Sequence, residues 1–477
     1  MEPLLADLPA DVLLMVMKFL EVPDLLACRL VCKRLGGLAL HPDAWRRRNV
    51  TVSRQEVQAL RLAPCLTTWK LNLTHEMSHP PLALCSTTKC AVTHLEMMVS
   101  ETKDWAEFKH AGPVIRNQAA LGRLRRLKLW GGASYFVPED MDAKLLATAV
   151  SAAGLEELDI GSFDMLPNPA APALLTRAAG AAPSPSIKTL LAKLNPATEP
   201  FVSFVLAAHA ATLETVSLPR WSETSDFIAA QLGGLANLRE LTCNLPLGLQ
   251  ALAACQSLRK VSLYVRGRER VLLDECLGRA GQLESLSLFY ESVDKDDGPF
   301  VLSLPSRLQF LEITEFTERE RSYRHLQPLL AALPSLAYLH HLELSAVVLD
   351  GLAGAVTPVT APALRTLRLQ PKIRDQCGHA YLHSRSMATL LADNPALQVH
   401  VRCLNVCLEV DTCEACRRHC HQELRCIRLI RRLMKGVRLS YGYGRLRIFP
   451  KNLMWINITK YNLLFNNSSQ SPLIPVG

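Results

Sequence analysis

The sequence predicts an α/β fold in which short strands and helices alternate as repeats that stack into a solenoid, preceded by a small helical domain. Three observations predict it. A six-residue pattern of alternating apolar residues recurs along most of the chain, helix-compatible segments lie between its copies, and the first fifty residues read as closely spaced short helices. The composition of the 477 residues, 49% hydrophobic and 20% charged, is that of a folded protein.

The recurring pattern is L-x-x-L-x-L, which places alternating apolar residues on a short strand. Start-to-start spacings cluster near 25 residues, with longer steps of 31–33 and one of 20. The clearest copies start at Leu124, Leu155, Leu213, Leu258, Leu283, Leu308, Leu339 and Leu364, and weaker copies start at Leu66, Val92, Ile187, Leu238 and Leu397. A doubly wound α/β domain would need near-continuous apolar strands and a ligand fingerprint, and we find neither in the sequence.

A strand, a turn and a helix in about 25 residues resemble the leucine-rich repeat. The resemblance implies a curved solenoid with a parallel sheet along its concave side and helices outside. No copy carries the Asn or Cys that usually follows the strand in this repeat. We therefore expect irregular repeats whose turns close in another way.

The region before the repeats carries signals for three short helices. Pro9 stands at a first helical position, residues 21–24 break the chain, Gly36 and Gly37 mark a helix end, and residues 41–45 suggest a third turn. Between Val12 and Leu20 only Lys18 is polar. These helices have more apolar surface than they can bury among themselves, which is typical of a partner surface. A cap on the first repeats would use the same residues, so both interpretations stay open.

The order and spacing of the apolar residues in this region resemble the F-box. The residues that carry the resemblance are Leu8, Pro9, Val12, Leu13, Val16, Phe19, Leu20, Leu25, Val31, Cys32 and Trp45. Asp11 stands where the family usually has Glu, and Leu35 stands where many members have Trp. An F-box followed by leucine-rich repeats resembles the F-box/leucine-rich-repeat class of substrate receptors.

The resemblance implies that these residues bind a Skp adaptor and, through it, a cullin carrying the ubiquitin-charged enzyme. The repeats would hold a protein substrate for ubiquitination and proteasomal degradation, so the chain would be a non-catalytic ligase subunit without a cofactor. Its contribution would be proximity. Two alternatives remain: a repeat scaffold whose N-terminal helices only cap the solenoid, and a zinc-dependent enzyme.

Alternate residues of each predicted strand face the concave side. Counting from the first leucine of each copy predicts these substrate-binding residues: Lys128, Trp130, Tyr264, Phe289, Phe310, His341 and Arg368. Aromatic side chains on a wet face are typical anchors of protein interfaces. A register slipped by one residue would turn any of them inward.

Two motifs suggest metal chemistry. The stretch HEMSH from His75 to His79 matches the zinc protease pattern H-E-x-x-H, but two prolines follow at once and a repeat strand precedes it. In residues 403–426, Cys413 and Cys416 form a C-x-x-C pair that Cys420 or His421 would complete as a zinc site. Because no second C-x-x-C follows at a standard separation, reduced thiols capping the last repeat are the simpler interpretation. We expect no bound metal.

Charge separates the C-terminal tail from the body of the chain. From Leu424 to Gly477 there are ten Lys or Arg residues and no acid, so the net charge of +9 leaves −1 for residues 1–423. A near-neutral body argues against a nucleic-acid surface. We find no run of ~18 apolar residues for a membrane span and no signal peptide, so we expect a cytoplasmic or nuclear protein.

The predicted organisation has four parts. These are an F-box at 1–50, a solenoid of about a dozen leucine-rich repeats at 60–402, a Cys/His-rich cap at 403–426, and a basic tail at 427–477. The tail carries no repeat pattern, and its composition favours disorder or loose packing.

Overall fold

The computed structural model describes residues 8–51, 57–73, 79–99, 108–132, 141–164, 184–219, 226–266, 270–291, 303–315, 326–345, 351–370, 381–401 and 456–458. The chain divides into two compact units, Met1–Leu258 and Arg259–Gly477. The first unit contains the N-terminal helices and the first repeats, and the second contains the remaining repeats.

Four short helices form the N-terminal domain. They are α1 (Ala10–Met17), α2 (Val22–Val31), α3 (Lys33–Ala39) and α4 (Pro42–Trp45). The predicted second helix is divided at Cys32, whose backbone is extended (φ −157°, ψ 166°) and whose Sγ accepts a hydrogen bond from the N–H of Leu35. The prediction that Gly36 and Gly37 end a helix is therefore wrong, because both lie inside α3.

The domain encloses a small core around the indole of Trp45. Leu13 of α1, Leu25 of α2 and Leu35 of α3 are buried, as is the indole itself. The indole Nε1–H donates a 2.6 Å hydrogen bond to the carbonyl oxygen of Ala39 at the end of α3. Because that carbonyl has no helical partner of its own, the indole both fills the core and satisfies a helix end.

In the first unit, eight strands run parallel, each paired with the next along the chain. The strands are β1 (Asn49–Thr51), β2 (Cys65–Leu73), β3 (Ala91–Val99), β4 (Arg126–Gly132), β5 (Glu157–Asp164), β6 (Thr189–Ala192), β7 (Thr215–Ser217) and β8 (Glu240–Asn244). The helices that follow these strands along the chain are α5 (Val57–Leu62), α6 (His79–Thr87), α7 (Phe108–Ala120), α8 (Met141–Val150), α9 (Glu199–Ala208), α10 (Asp226–Gly233) and α11 (Leu245–Ala254). Sequential parallel strands joined by helices are the arrangement that a repeat architecture requires.

The second unit repeats this pattern with six parallel strands and one antiparallel strand. Its strands are β9 (Lys260–Arg266), β10 (Ser285–Glu291), β11 (Phe310–Glu315), β12 (His341–Ser345), β13 (Thr366–Gln370), β14 (Gln398–Val401) and β15 (Ile456–Ile458). Its helices are α12 (Arg270–Arg279), α13 (Leu326–Ala332) and α14 (Arg385–Asp393). The antiparallel strand β15 comes from the basic tail and pairs with β14; the rest of residues 402–477 lie outside the described residues.

The thirteen copies of the leucine pattern correspond one to one with strands β2–β14. In β12, for example, Leu342 and Leu344 are buried while His341, Glu343 and Ser345 between them are half-buried. The predicted α/β class, with an N-terminal helical domain followed by stacked strand–helix repeats, is confirmed. We call the side of the sheet that carries the half-buried alternate residues the open face.

Polar side chains at the ends of the helices help to close the turns. Gln118 of α7 is buried, accepts a hydrogen bond from the N–H of Val92 and donates one to the carbonyl oxygen of Cys90. His209, at the end of α9, uses Nδ1 to accept from the N–H groups of Ser186 and Ile187. These bonds join the end of each helix to the start of the strand that precedes it along the chain, whereas the usual Asn or Cys of the repeat follows the strand.

Several cysteines act as small core residues. Cys65, Cys85, Cys90, Cys243 and Cys255 are buried free thiols. Desolvation by burial raises the pKa of Cys85 and Cys90 to about 12, so both remain protonated. At these positions the cysteines pack as small apolar side chains.

Candidate functional site

The N-terminal domain exposes large apolar side chains on two of its helices. Phe19, directly after α1, is 88% exposed, and Leu30 and Val31 at the end of α2 are 84% and 69% exposed. Met15 and Val16 of α1 are exposed as well. Large apolar groups this accessible are unusual on a small domain and indicate a partner surface. We call these five residues the N-terminal apolar surface.

The structure sorts the eleven predicted adaptor-binding residues into three groups. Pro9, Val16, Phe19, Val31 and Cys32 are exposed, and Leu8, Val12 and Leu20 are half-buried. Leu13, Leu25 and Trp45 are buried in the core. Because a core residue has no surface left for a partner, we assign these three to supporting the domain rather than to direct contact.

Sequence reasoning missed Met15 and Leu30. Both are exposed apolar residues beside predicted ones, Met15 next to Val16 and Leu30 next to Val31. The sequence does contain a signal for Leu30. This apolar residue lies outside the helical stripe of apolar residues formed by Leu25, Cys28 and Cys32.

Arg48 fixes the end of α1 against α4. Its guanidinium donates hydrogen bonds to the carbonyl oxygens of Ala44, Leu20 and Met17, and it lies 5.8 Å from the ring centre of Trp45. Desolvation by burial lowers the pKa of Arg48, and the charge of Glu21 partly opposes that shift. Arg48 thereby orients the end of α1, from which Phe19 projects.

The N-terminal domain is joined to the first repeat through hydrogen bonds. Strand β1 pairs in parallel with β2, and the carbonyl oxygen of Arg48 accepts from the N–H groups of Thr67 and Thr68. The hydroxyl of Thr67 also donates to the carbonyl oxygen of Arg46. The domain therefore covers the first edge of the sheet with α4 and β1, and this leaves the exposed residues of α1 and α2 uncovered.

On the open face of the first unit, charged side chains of neighbouring strands pair with one another. Lys70 Nζ lies 3.1 Å from Glu96 Oε2, and Lys128 Nζ lies 2.8 Å from Asp159 Oδ2. The hydrogen bond with Asp159 raises the pKa of Lys128, against desolvation by burial. Trp130, two residues after Lys128 on β4, is 39% exposed. Lys128 and Trp130 thus both face outward, as counting from the first leucine of their copy of the pattern predicts.

The open face of the second unit collects the other predicted residues. The rings of Tyr264 and Phe289 stack with centres 5.0 Å apart, and those of Phe310 and His341 with centres 4.7 Å apart. Arg368 Nη1 lies 3.6 Å from the Oε2 of Glu343. None of these five predicted residues is turned into the core, so the register of the second unit agrees with the sequence frame.

Cys413, Cys416, Cys420 and His421 lie outside the described residues, as do residues 75–78 of the HEMSH stretch. Among the residues that are described, no group of three or more His, Cys, Asp or Glu side chains is arranged to hold a metal ion. No helix in that part of the chain is long and apolar enough to cross a membrane.

Comparison with known proteins identifies the N-terminal domain. The sequence matches a family model described as F-box-like over residues 5–51, and no curated protein matches the chain. A solved structure described as "Crystal structure of Rad7 and Elc1 complex in yeast" is similar at 15% identity over 81% of this chain and 86% of that chain, with a TM-score of 0.37. Residues 5–51, with their exposed apolar helices ahead of the repeats, are an F-box-like domain.

Proposed function

We propose that this chain is the substrate-recognition subunit of a Skp–cullin–F-box ubiquitin ligase. Its F-box-like domain binds a Skp adaptor, and the open face of its repeats holds a protein substrate for ubiquitination and degradation. The observation that carries the proposal is the N-terminal apolar surface, with Phe19, Leu30 and Val31 each more than two-thirds exposed. Burying three such side chains against a partner contributes roughly 1.5–3 kcal/mol each.

The second candidate is a repeat scaffold whose N-terminal helices only cap the sheet. The pairing of β1 with β2 and the bonds from Thr67 and Thr68 to Arg48 support a capping role. A cap made by α4 and β1 gives no reason for Phe19 and Val31 to stay apolar at an exposed position. The adaptor function accounts for both the cap and the apolar surface, so we favour it.

In this proposal the chain performs no chemistry. It raises the effective concentration of substrate lysines near the ubiquitin-charged enzyme that the cullin carries. The hydrogen bonds between the F-box-like domain and β2 favour a fixed distance between the adaptor and a substrate that is bound on the open face of the first unit. The proposal places the chain in the cytoplasm, the nucleus or both, and it involves no nucleic acid.

The test is co-purification of the full chain with a Skp adaptor, comparing wild type with a Phe19→Asp/Val31→Asp double variant. Phe227→Asp is the matched control, because Phe227 on α10 is also 62% exposed but lies outside the F-box-like domain. We expect at least a ten-fold loss of adaptor binding in the double variant and none in the control. All three proteins should melt at similar temperatures, since the changed side chains are exposed.

Two outcomes would overturn the proposal. One is a folded wild type that binds no Skp adaptor; the other is a double variant that binds as tightly as wild type. Either result leaves the scaffold as the better explanation of the N-terminal helices.

A further inference from the structure

Two aromatic pairs flank a row of polar side chains on the open face of the second unit. Tyr264 and Phe289 stack across β9 and β10, and Phe310 stacks on His341 across β11 and β12. Between them in the register lie Ser287, Glu312 and Glu343 on β10, β11 and β12. Aromatic surface of this kind, half-accessible on a sheet face, offers contact area at low conformational cost.

The two carboxylates face each other directly. Glu312 and Glu343 are register partners on adjacent strands. Side chains directly opposite on neighbouring strands lie about 5 Å apart, and like charges there are destabilising. Glu343 is compensated by Arg368, 3.6 Å away, and lies 3.9 Å from the Nε2 of His341. The second carboxylate, Glu312, has no ion pair of its own among the described residues, although the charge of His341 favours its ionised form.

Hydroxyl groups are the partners of Glu312. Ser287 Oγ donates to Oε2 at 2.8 Å, and Thr314 Oγ1 donates to Oε1 at 3.4 Å. Among the described residues we find no cation within ion-pair distance of it. Burial raises the pKa of Glu312, the hydrogen bond from Ser287 opposes that shift, and the charge of Glu343 adds to it. A cation bound beside a desolvated carboxylate that already faces a like charge stabilises the ionised form of that carboxylate.

The described open-face side chains of β11 and β12 include two carboxylates and no Lys or Arg. The open-face side chains of β11 are Phe310, Glu312 and Thr314, and those of β12 are His341, Glu343 and Ser345. Of these side chains Glu312 and Glu343 are acidic, and Arg368 on the neighbouring strand β13 pairs with Glu343. An acidic strip bordered by aromatic rings is complementary to a basic side chain, which pairs with carboxylate and also interacts with ring faces.

We propose that Tyr264, Phe289, Phe310, Glu312 and Glu343 form an aromatic–acid surface that docks a basic segment of the substrate. One Lys or Arg side chain of that segment pairs with Glu312, and its aliphatic stem packs on the neighbouring rings. The inference rests on the proposed function, because it names the substrate class for the same face.

The test uses the full chain and fluorescein-labelled oligo-lysine, with oligo-glutamine and oligo-glutamate as matched peptides, followed by fluorescence anisotropy. We expect oligo-lysine to bind and to weaken as salt is raised, and the other two not to bind. Glu312→Gln should weaken oligo-lysine binding about ten-fold. Glu284→Gln is the control, since Glu284 is exposed just before β10 and carries the same charge change; it should bind as wild type does.

Oligo-lysine binding that Glu312→Gln leaves unchanged would overturn the proposal, and so would a preference for oligo-glutamate. Phe289→Leu provides a second variant, expected to weaken binding without altering the charge. Adaptor binding is measured on the same proteins. It should be unaffected by these substitutions, so a failure of the adaptor function and a failure of the docking surface give different results.

Discussion

Arg48 and Met17 are joined by a 2.6 Å hydrogen bond from the guanidinium Nη2 to the carbonyl oxygen at the end of α1. The same guanidinium also bonds the carbonyl oxygens of Leu20 and Ala44. One cation thus satisfies carbonyl groups of two helices and holds the segment that carries Phe19.

Arg48→Met is expected to destabilise the first unit by roughly 2–4 kcal/mol, because it removes charge-assisted bonds and leaves partly buried carbonyl oxygens without donors. Urea unfolding followed by circular dichroism measures the change. Arg47→Met is the matched control, since Arg47 is the exposed neighbour. Adaptor binding should weaken in Arg48→Met and persist in Arg47→Met; equal stability of the two variants would contradict this role for Arg48.

Two glycines in equivalent turns allow backbone strain to be separated from crowding. Gly122 and Gly154 both have φ of +74°, which disfavours any residue with a Cβ. A Cβ at Gly122 meets no atom within 4 Å, whereas one at Gly154 comes within 2.6 Å of Arg125 Nη1. We expect Gly122→Ala to cost roughly 1 kcal/mol and Gly154→Ala to cost more.

The larger cost expected for Gly154→Ala has a structural cause. Arg125 Nη1 donates to the carbonyl oxygen of Gly154 at 3.2 Å, and the new methyl group must displace it. In an Arg125→Ala background the costs of the two glycine substitutions should therefore become equal. Thermal unfolding of the five variants completes the comparison, and an excess that survives the loss of Arg125 would rule this explanation out.

His209 makes the first unit sensitive to acid. Its Nδ1 accepts two backbone hydrogen bonds, so the ring must be neutral at that atom, and desolvation by burial lowers its pKa below the usual 6.5. The unfolded chain therefore binds a proton at a higher pH than the folded one. Stability from this group is present above about pH 6.5 and is lost as the pH falls from there toward the lowered pKa.

His209→Gln is expected to flatten that pH dependence, although it lowers stability at neutral pH. The measurement is the melting temperature of both proteins between about pH 7.5 and 5.5. His94 and His400 also have lowered pKa values, with desolvation as the main cause in each, but both remain in the variant and so cancel in the difference. If the melting temperatures of the two proteins fell equally with pH, the acid sensitivity would not come from His209.

The strands were predictable because their signal is periodic and local. Each copy of the leucine pattern, even the weak one at Ile187, coincides with a strand, and burial alternates along short strands such as Thr189–Ala192. Counting from the first leucine also placed Tyr264, Phe289 and Phe310 on the open face. Repetition averages out the ambiguity of any single short apolar run.

What sequence reasoning missed depends on contacts across the chain. Leu13 and Phe19 are both apolar members of one motif, yet one is buried and the other exposed, because packing against α3 and α4 selects the face. The break at Cys32 arises in a stretch without Gly or Pro, between Ala27 and Leu35, where the sequence carries no helix-stop signal. The role of Gln118 appears only when the start of the preceding strand is placed beside α7.

Because β1 pairs with β2, the place of each strand in the first unit determines its distance from the F-box-like domain. Because neighbouring strands are spaced about 4.8 Å apart, each repeat adds a fixed increment of distance from the F-box-like domain. A substrate group held over Trp130 on β4 is three increments from β1, roughly 14 Å, and one held over β8 is seven, roughly 34 Å. Under the proposed function, the choice of repeat determines which lysines of a bound substrate come within range of ubiquitin, independently of how tightly that substrate is held.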